Sequence, residues 1–393
     1  MPFDGCSSDC QNEPICTGGG PCTSRCGDGI VLDEDCDDGN LVDGDGCSSS
    51  CTVEPGFSCS QPPLGDFILV SAVYRDFRFH APSDFEPGVT GGTTAAAGIV
   101  EDNLDGEGKP VFTGVTGATV HIESKDTFAE WYRNTDGVNH ATPSKLALWN
   151  NGGGAYVNRY GKRGEQWPVI ELANRCGEVG QELTDDLGQP IPCTFFAQSD
   201  QNRTDCQIEE AKGYTQLPGS CHADATGVYS AQYVVKRVDG NPLFFPVDND
   251  SFSASEMTGG QVPSEPSGMY DETETWPWDL DEIGNKRLHN FSFTSEIRSW
   301  FRYEPDETYT LDFVGDEDAW VFVNRKLAVD LGGVHTPVAG SVIVDGAAAG
   351  AFGLSPGKVY EIAVFHAERQ TTCSALEVTM RGFNMAASVC VRD

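Results

Sequence analysis

Gly315-Asp316-Glu317-Asp318 sets three carboxylates side by side, immediately before the apolar run Ala319–Val323. Adjacent negative charges repel one another unless water solvates them or a cation neutralises them. The run AWVFV is apolar on both faces and reads as a buried strand, so the acidic triplet lies at its mouth as a solvated loop or a cation site. A second concentration of oxygen ligands lies near the start. Asp33, Asp35, Asp37, Asp38, Asn40, Asp43 and Asp45 place seven oxygen side chains within thirteen residues. Calcium loops favour such density. The spacing is not that of an EF-hand, because Gly39 does not follow a D-x-D-x-D run and no glutamate closes the loop. An acidic knot without an ion is the alternative. Asn324-Arg325, between two apolar runs, matches the Asn-Gly hairpin signal with Arg in place of Gly, so Asn324 reads as a turn former.

Chemistry of other kinds is missing. The chain has no G-x-S-x-G elbow, no H-E-x-x-H, no P-loop and no dinucleotide fingerprint, and its seven histidines are scattered. A non-enzymatic protein is expected. With a net charge of −35, the surface repels phosphate backbones, which argues against a nucleic-acid partner. No run of about 20 apolar residues exists to cross a bilayer as a helix.

Fifteen cysteines provide the remaining reactive groups. Nine fall in the first 59 residues: Cys6, Cys10, Cys16, Cys22, Cys26, Cys36, Cys47, Cys51 and Cys59. The other six are Cys176, Cys193, Cys206, Cys221, Cys373 and Cys390. Dense cysteine among Gly, Asp and Ser, with few apolar residues, describes a segment that must be cross-linked because it cannot build a core. Zinc is the competing reading, but the first 79 residues hold no histidine and the close pairs are C-x3-C rather than C-x2-C. Disulfides, and therefore an oxidising extracellular or outer-cell-surface location, are expected. The start MPFDGCSSDC shows neither a charged n-region nor an apolar h-region, so no signal peptide is visible in this chain. Nine early cysteines leave one over, while Cys373 and Cys390 are placed to clasp the C-terminus.

The early segment repeats itself. Asp4–Pro14 (DGCSSDCQNEP) recurs as Asp45–Pro55 (DGCSSSCTVEP), and the second copy is preceded by an acidic head from Cys26 to Cys47 that the first lacks. Residues 1–25 thus read as a truncated repeat and 26–59 as a complete one. CGDG, CDDGN, GDGCSSSC and EPGFSC resemble the extracellular cysteine-rich repeat of myxobacterial surface proteins.

After a linker at 60–66 the texture turns β-rich. Phe67–Phe79, Thr308–Val314, Ala319–Val323, Leu327–Leu331, Ser341–Val344, Val359–His366 and Leu376–Phe383 are short apolar or β-branched runs between turn residues. Within Asn290–Tyr303 the residues Phe291, Phe293, Ser295, Ile297, Ser299 and Phe301 share one face. Many short strands at close spacing predict an antiparallel sandwich over 67–393. One helix is expected after Ser124, with Phe128, Trp131 and Tyr132 as a core-facing stripe. Residues 161–226, polar and bearing four cysteines, read as a disulfide-stapled insertion. The fold class is therefore mainly β: an antiparallel sandwich with a stapled insertion, preceded by a small disulfide-rich module.

Several stretches carry a more specific likeness: VYRDFRFHAPSDFE (Val73–Glu86), TFAEWYRNTDGVN (Thr127–Asn139), NPLFFPVDND (Asn241–Asp250), FSFTSEIRSWFRY, LDFVGDEDAWVFVNRKLAVDLGGVH and VYEIAVFHAERQTT. Together they resemble the fibro-slime domain, a member of the PA14-like β-sandwich group. The resemblance implies an adhesion or matrix protein whose partners are an extracellular glycan or surface protein. In PA14-type adhesins an adjacent Asp-Asp pair, with oxygens from neighbouring loops, holds a calcium ion that ligates sugar hydroxyls. Aligning back from Asn324 and Lys326 places Asp316 and Glu317 on that pair, with Glu317 one methylene longer and Asp318 as a substitute ligand. His335, Glu368 and Arg369 match family positions and are ligand-binding candidates, with a salt bridge or loop staple as the other role for Glu368 and Arg369. Self-association into a head-to-tail fibre through the truncated module is the structural alternative, and a cell–cell recognition receptor a third.

Overall fold

The computed structural model describes residues 3, 12–32, 34–61, 65, 67–77, 84–85, 92–150, 152–158, 244, 246–247, 291–370, 374–383 and 387–393, with four two-residue strands besides. Asp33, Cys6, Cys10, Cys176, Cys193, Cys206, Cys221 and Cys373 lie outside the described residues, as does most of the expected insertion. Within and just after it are the short strands β5 (Leu183–Thr184) paired with β6 (Pro190–Ile191), and β7 (Tyr214–Thr215) paired with β8 (Lys236–Arg237).

The expected antiparallel β architecture is what forms. Besides β1 (Phe57–Ser60), the strands are β2 (Phe67–Phe77), β3 (Asn139–Asn150), β4 (Ala155–Asn158), β9 (Phe293–Tyr303), β10 (Tyr309–Gly315), β11 (Asp318–Val323), β12 (Lys326–Leu331), β13 (Val338–Val344), β14 (Lys358–Glu368), β15 (Leu376–Arg381) and β16 (Val389–Arg392). Ten of them make one sheet in the order β12-β11-β14-β9-β2-β3-β4-β15-β10-β13. The sheet curls until its end strands meet. A Cβ at Gly340 on β13 would stand 2.7 Å from Val329 and 3.0 Å from Leu331 on β12, so glycine permits the approach.

Alternation sorts the side chains into two cores. Facing inward are Tyr74, Phe293, Ile297, Phe301, Val321, Ile362, Val364 and Val378. The outer faces of β11 and β14 present Trp320, Phe322, Ala363 and Phe365 to a second core. This is covered by the segment around α1 (Lys125–Glu130), whose N-cap Ser124 forms a capping box with Thr127. Phe128, Trp131 and Tyr132 are buried there, as the stripe implied. The central strand β9 is buried on both faces for this reason. Its outward Glu296 receives Lys109 at 2.6 Å, Arg298 at 2.7 Å and Arg75 at 3.2 Å.

Sequence reasoning did not find β3. NHATPSKLALWN is polar and contains Pro143, which stands opposite Val73 on β2 in the stretch that β4 does not reach. A strand flanked on one side only tolerates the missing N–H.

The cysteine-rich module carries disulfides Cys16–Cys22, Cys26–Cys51 and Cys36–Cys47. The fourth, Cys59–Cys390, corrects one expectation. Cys390 pairs with the early segment rather than with Cys373. The reason lies in the strands: β1 pairs antiparallel with β16, placing Cys59 directly opposite Cys390. Gly46, at φ 125°, leaves room for the bridge, since a Cβ there would collide with Cys390. The module packs against the sandwich. Cys22 N donates to Val359 O at 2.8 Å, and Cys22 and Leu32 pack on Trp300 and Val359 of the sandwich.

Candidate functional site

The acidic triplet sits at the corner between β10 and β11, and it is not a solvated loop. Asp316, Glu317 and Asp318 retain 2%, 3% and 0% of their exposure. The corner is tight enough to hold Glu317 at φ 58°, the left-handed region that a non-glycine residue seldom occupies. Its N–H donates to His335 O at 3.3 Å.

Parity alone would set Asp316 and Asp318 on one face, but the left-handed Glu317 between them turns the chain and separates them. Asp318 points to the outer core. Its Oδ2 accepts from Arg369 Nε at 2.6 Å and its Oδ1 from Gly333 N at 2.6 Å. Arg369 is itself fully buried: it donates to the carbonyls of Asp84 at 3.0 Å, His121 at 3.1 Å and Val120 at 3.1 Å, and lies 4.8 Å over the Trp131 ring. Arg369 is thus the staple holding Asp84, Val120 and His121 onto the sheet. With every donor group committed and no exposure, it is not a contact for an outside ligand.

Asp316 remains at the corner, where its Oδ1 accepts from Ala375 N at 2.7 Å. Here it meets two residues of β14, His366 and Glu368, which share the inner face two positions apart. One ligand atom from each of Asp316, His366 and Glu368 lies within 4.8 Å of the others, and all three are buried. Burial, then the charges of Asp316 and Glu317, push the Glu368 carboxyl well above the usual carboxylate range. Burial, with His335 beside it, pulls His366 down to about 3, so its ring is neutral. Phe244 and Phe293 each place a ring centroid 5.8 Å from the His366 ring. Phe244, from the NPLFFPVDND stretch, is held there by Ser374.

The predicted calcium set is therefore not brought together. Asn324 stands at the far end of β11, about 20 Å along a six-residue strand. It forms the two-residue turn with Arg325, at φ 47° and 67°, and donates Nδ2 to Phe352 O at 2.8 Å. Asp318 is committed to Arg369, and the corner is closed to a sugar. The residues present do not fit the paired-aspartate arrangement that the resemblance implies. His335 lies beside the corner, as expected of a neighbour, but it too is buried. His366 was missed. The signal that could have found it is the His-x-Glu spacing on a strand, which aims both side chains one way.

In the cysteine-rich module the oxygens are largely spoken for by backbone. Asp37, fully buried, accepts from Gly27 N at 2.7 Å, Asp28 N at 3.1 Å, Gly29 N at 3.0 Å and Gly39 N at 2.8 Å. Asp43 accepts from Ser49 N, Asp38 from Asn40 N, Asn40 from Val42 N, and Asp45 from Asn40 Nδ2. Asp37 is a hub for loop amides rather than an ion ligand. Buried close by, Asp28 is raised to about 8 by burial, reinforced by Asp37 and Glu34.

Comparison with known proteins places a PA14 domain at residues 248–384. Protein psiQ of Dictyostelium discoideum is 25% identical over 335 residues, covering 83% of this chain and 23% of that protein. Protein psiB of the same organism is 41% identical over 141 residues, 36% of this chain and 20% of that one. The chain thus spans less than a quarter of the length of these relatives. A solved PA14 sugar-binding domain from an RTX adhesin aligns with 44% of this chain and 95% of its own at 9% identity, with a TM-score of 0.19. That superposition is too loose to argue from.

Proposed function

We propose that this chain is part of an extracellular, non-enzymatic adhesion protein of the fibro-slime type, which recognises glycan through the loops of its β-sandwich. The observation that carries the reading is the PA14 match at 248–384, joined to a disulfide-bridged module. Four bridges in one chain require an oxidising compartment. Hydrolysis of a polysaccharide needs two carboxylates flanking an accessible bond. The carboxylates of the β10–β11 corner are buried and do not make such a pair.

Calcium has no part in the recognition step proposed here, because the predicted ligand set is split between the two ends of β11. A glycan array probed with the purified chain tests the reading, once with calcium and once after chelation. Binding that survives chelation is expected. No binding under either condition, from a folded preparation, would remove the glycan proposal.

A further inference from the structure

We propose that Asp316, His366 and Glu368 form a buried site for a transition-metal cation of the zinc class, tying the β10–β11 corner to the end of β14. The proposal is independent of glycan recognition.

His366 carries the argument. It has no exposure, and among the described residues neither ring nitrogen has a hydrogen-bond partner. A core histidine of ordinary kind satisfies at least one nitrogen, because an unpaired buried polar atom forfeits the hydrogen bond it would make with water. Here the neighbours are the rings of Phe244 and Phe293 and the carboxyl groups of Asp316 and Glu368. The neutral imidazole is the form that ligates metal.

Glu368 supplies the second observation. Its Oε2 is likewise without a hydrogen-bond partner among the described residues, at 0% exposure. The residue faces the negative charges of Asp316 and Glu317. Arg369, its chain neighbour, is on the opposite face and committed to Asp318. A carboxylate so placed needs a proton or a cation.

Ligand chemistry selects the ion. Calcium takes oxygen donors, whereas an imidazole beside two carboxylates suits zinc and its neighbours. Donors on a tetrahedral zinc stand about 3.4 Å apart, given bonds of about 2.0–2.2 Å. The trio, with atoms within 4.8 Å of one another, needs to draw in by about an ångström or so. Glu317 and His335 stand beside the trio. With no exposed face, the ion is structural.

The test is zinc uptake by the full chain after metal stripping, read by native mass spectrometry and by titration against calcium. One zinc per chain is expected, undisplaced by equimolar calcium, with affinity at least tenfold weaker in His366→Gln and in Glu368→Gln. Cobalt substitution of the unaltered chain should give four-coordinate visible bands and paramagnetically shifted imidazole protons, a readout that needs no variant to fold. A folded chain that takes up no zinc overturns the proposal. So does zinc binding unchanged in folded variants, a cobalt complex without imidazole signals, or a calcium complex that His366→Gln leaves intact. The glycan array, run on the same preparation, reports on adhesion separately.

Discussion

Arg369 and Asp318 meet at 2.6 Å with both side chains at 0% exposure, and this pair joins the residue that follows β14 to the start of β11. Removing one partner strands a buried charge, at a cost of about 3–5 kcal/mol. Arg369→Met should therefore lower stability by that amount in urea unfolding. The double variant Asp318→Leu/Arg369→Met should recover only part, because the carbonyls of Asp84, Val120 and His121 still lose their donor. Full recovery would show that those three contacts contribute nothing.

Asp28 makes the cysteine-rich module sensitive to pH. Its pKa rises from 3.8 to about 8 on folding, so the folded state favours the protonated form. Its contribution is complete below about pH 4 and lost as pH rises through 8. Asp28→Asn keeps the acceptor for Ile30 N and removes the charge. Unfolding midpoints should show the variant equal to the parent near pH 4 and more stable at pH 9. Parallel curves across that range would contradict this.

Glu296 has the opposite sign. Burial alone would raise its carboxyl, but Lys109, Arg298 and Arg75 overrule it and hold the group at about 2. Its contribution is present above about pH 4.5 and lost as pH falls toward 2. Glu296→Gln leaves buried cations with a poorer partner and should cost about 3–5 kcal/mol at pH 7. Acid titration should show the gap between parent and variant closing near pH 2.

Cys59–Cys390 links positions 331 residues apart. Non-reducing peptide mapping should recover the two as one linked peptide. Cys59→Ser/Cys390→Ser should lose about 2–5 kcal/mol against the parent. In the single variant Cys390→Ser, one newly reactive thiol should be titratable at Cys59. A map joining Cys390 to Cys373 would refute the pairing.

Asp37→Ala should unfold the acidic module selectively. Four backbone amides, those of Gly27, Asp28, Gly29 and Gly39, lose their acceptor. Hydrogen exchange should accelerate across 26–51 while the amides of β9 and β14 stay protected. Uniform acceleration throughout would show instead that module and sandwich unfold together.

Much of this molecule could be read locally. Period-two apolar runs gave the inward and outward faces of β9, because a strand side chain's direction depends only on its parity. Ser124 and the aromatic stripe marked α1, because capping and helical spacing involve near neighbours. Cysteine density among acidic loops announced a cross-linked module with too little core of its own. What spacing left open was which groups meet. Cys59 pairs with Cys390 because β1 and β16 align, although 331 residues separate them. Asp316 and Asp318, two residues apart, end in different surroundings, one beside His366 and Glu368, the other on Arg369. Composition and alternation determine whether a residue is buried. Only the closed sheet decides its company, since buried charges answer to neighbours brought from distant strands.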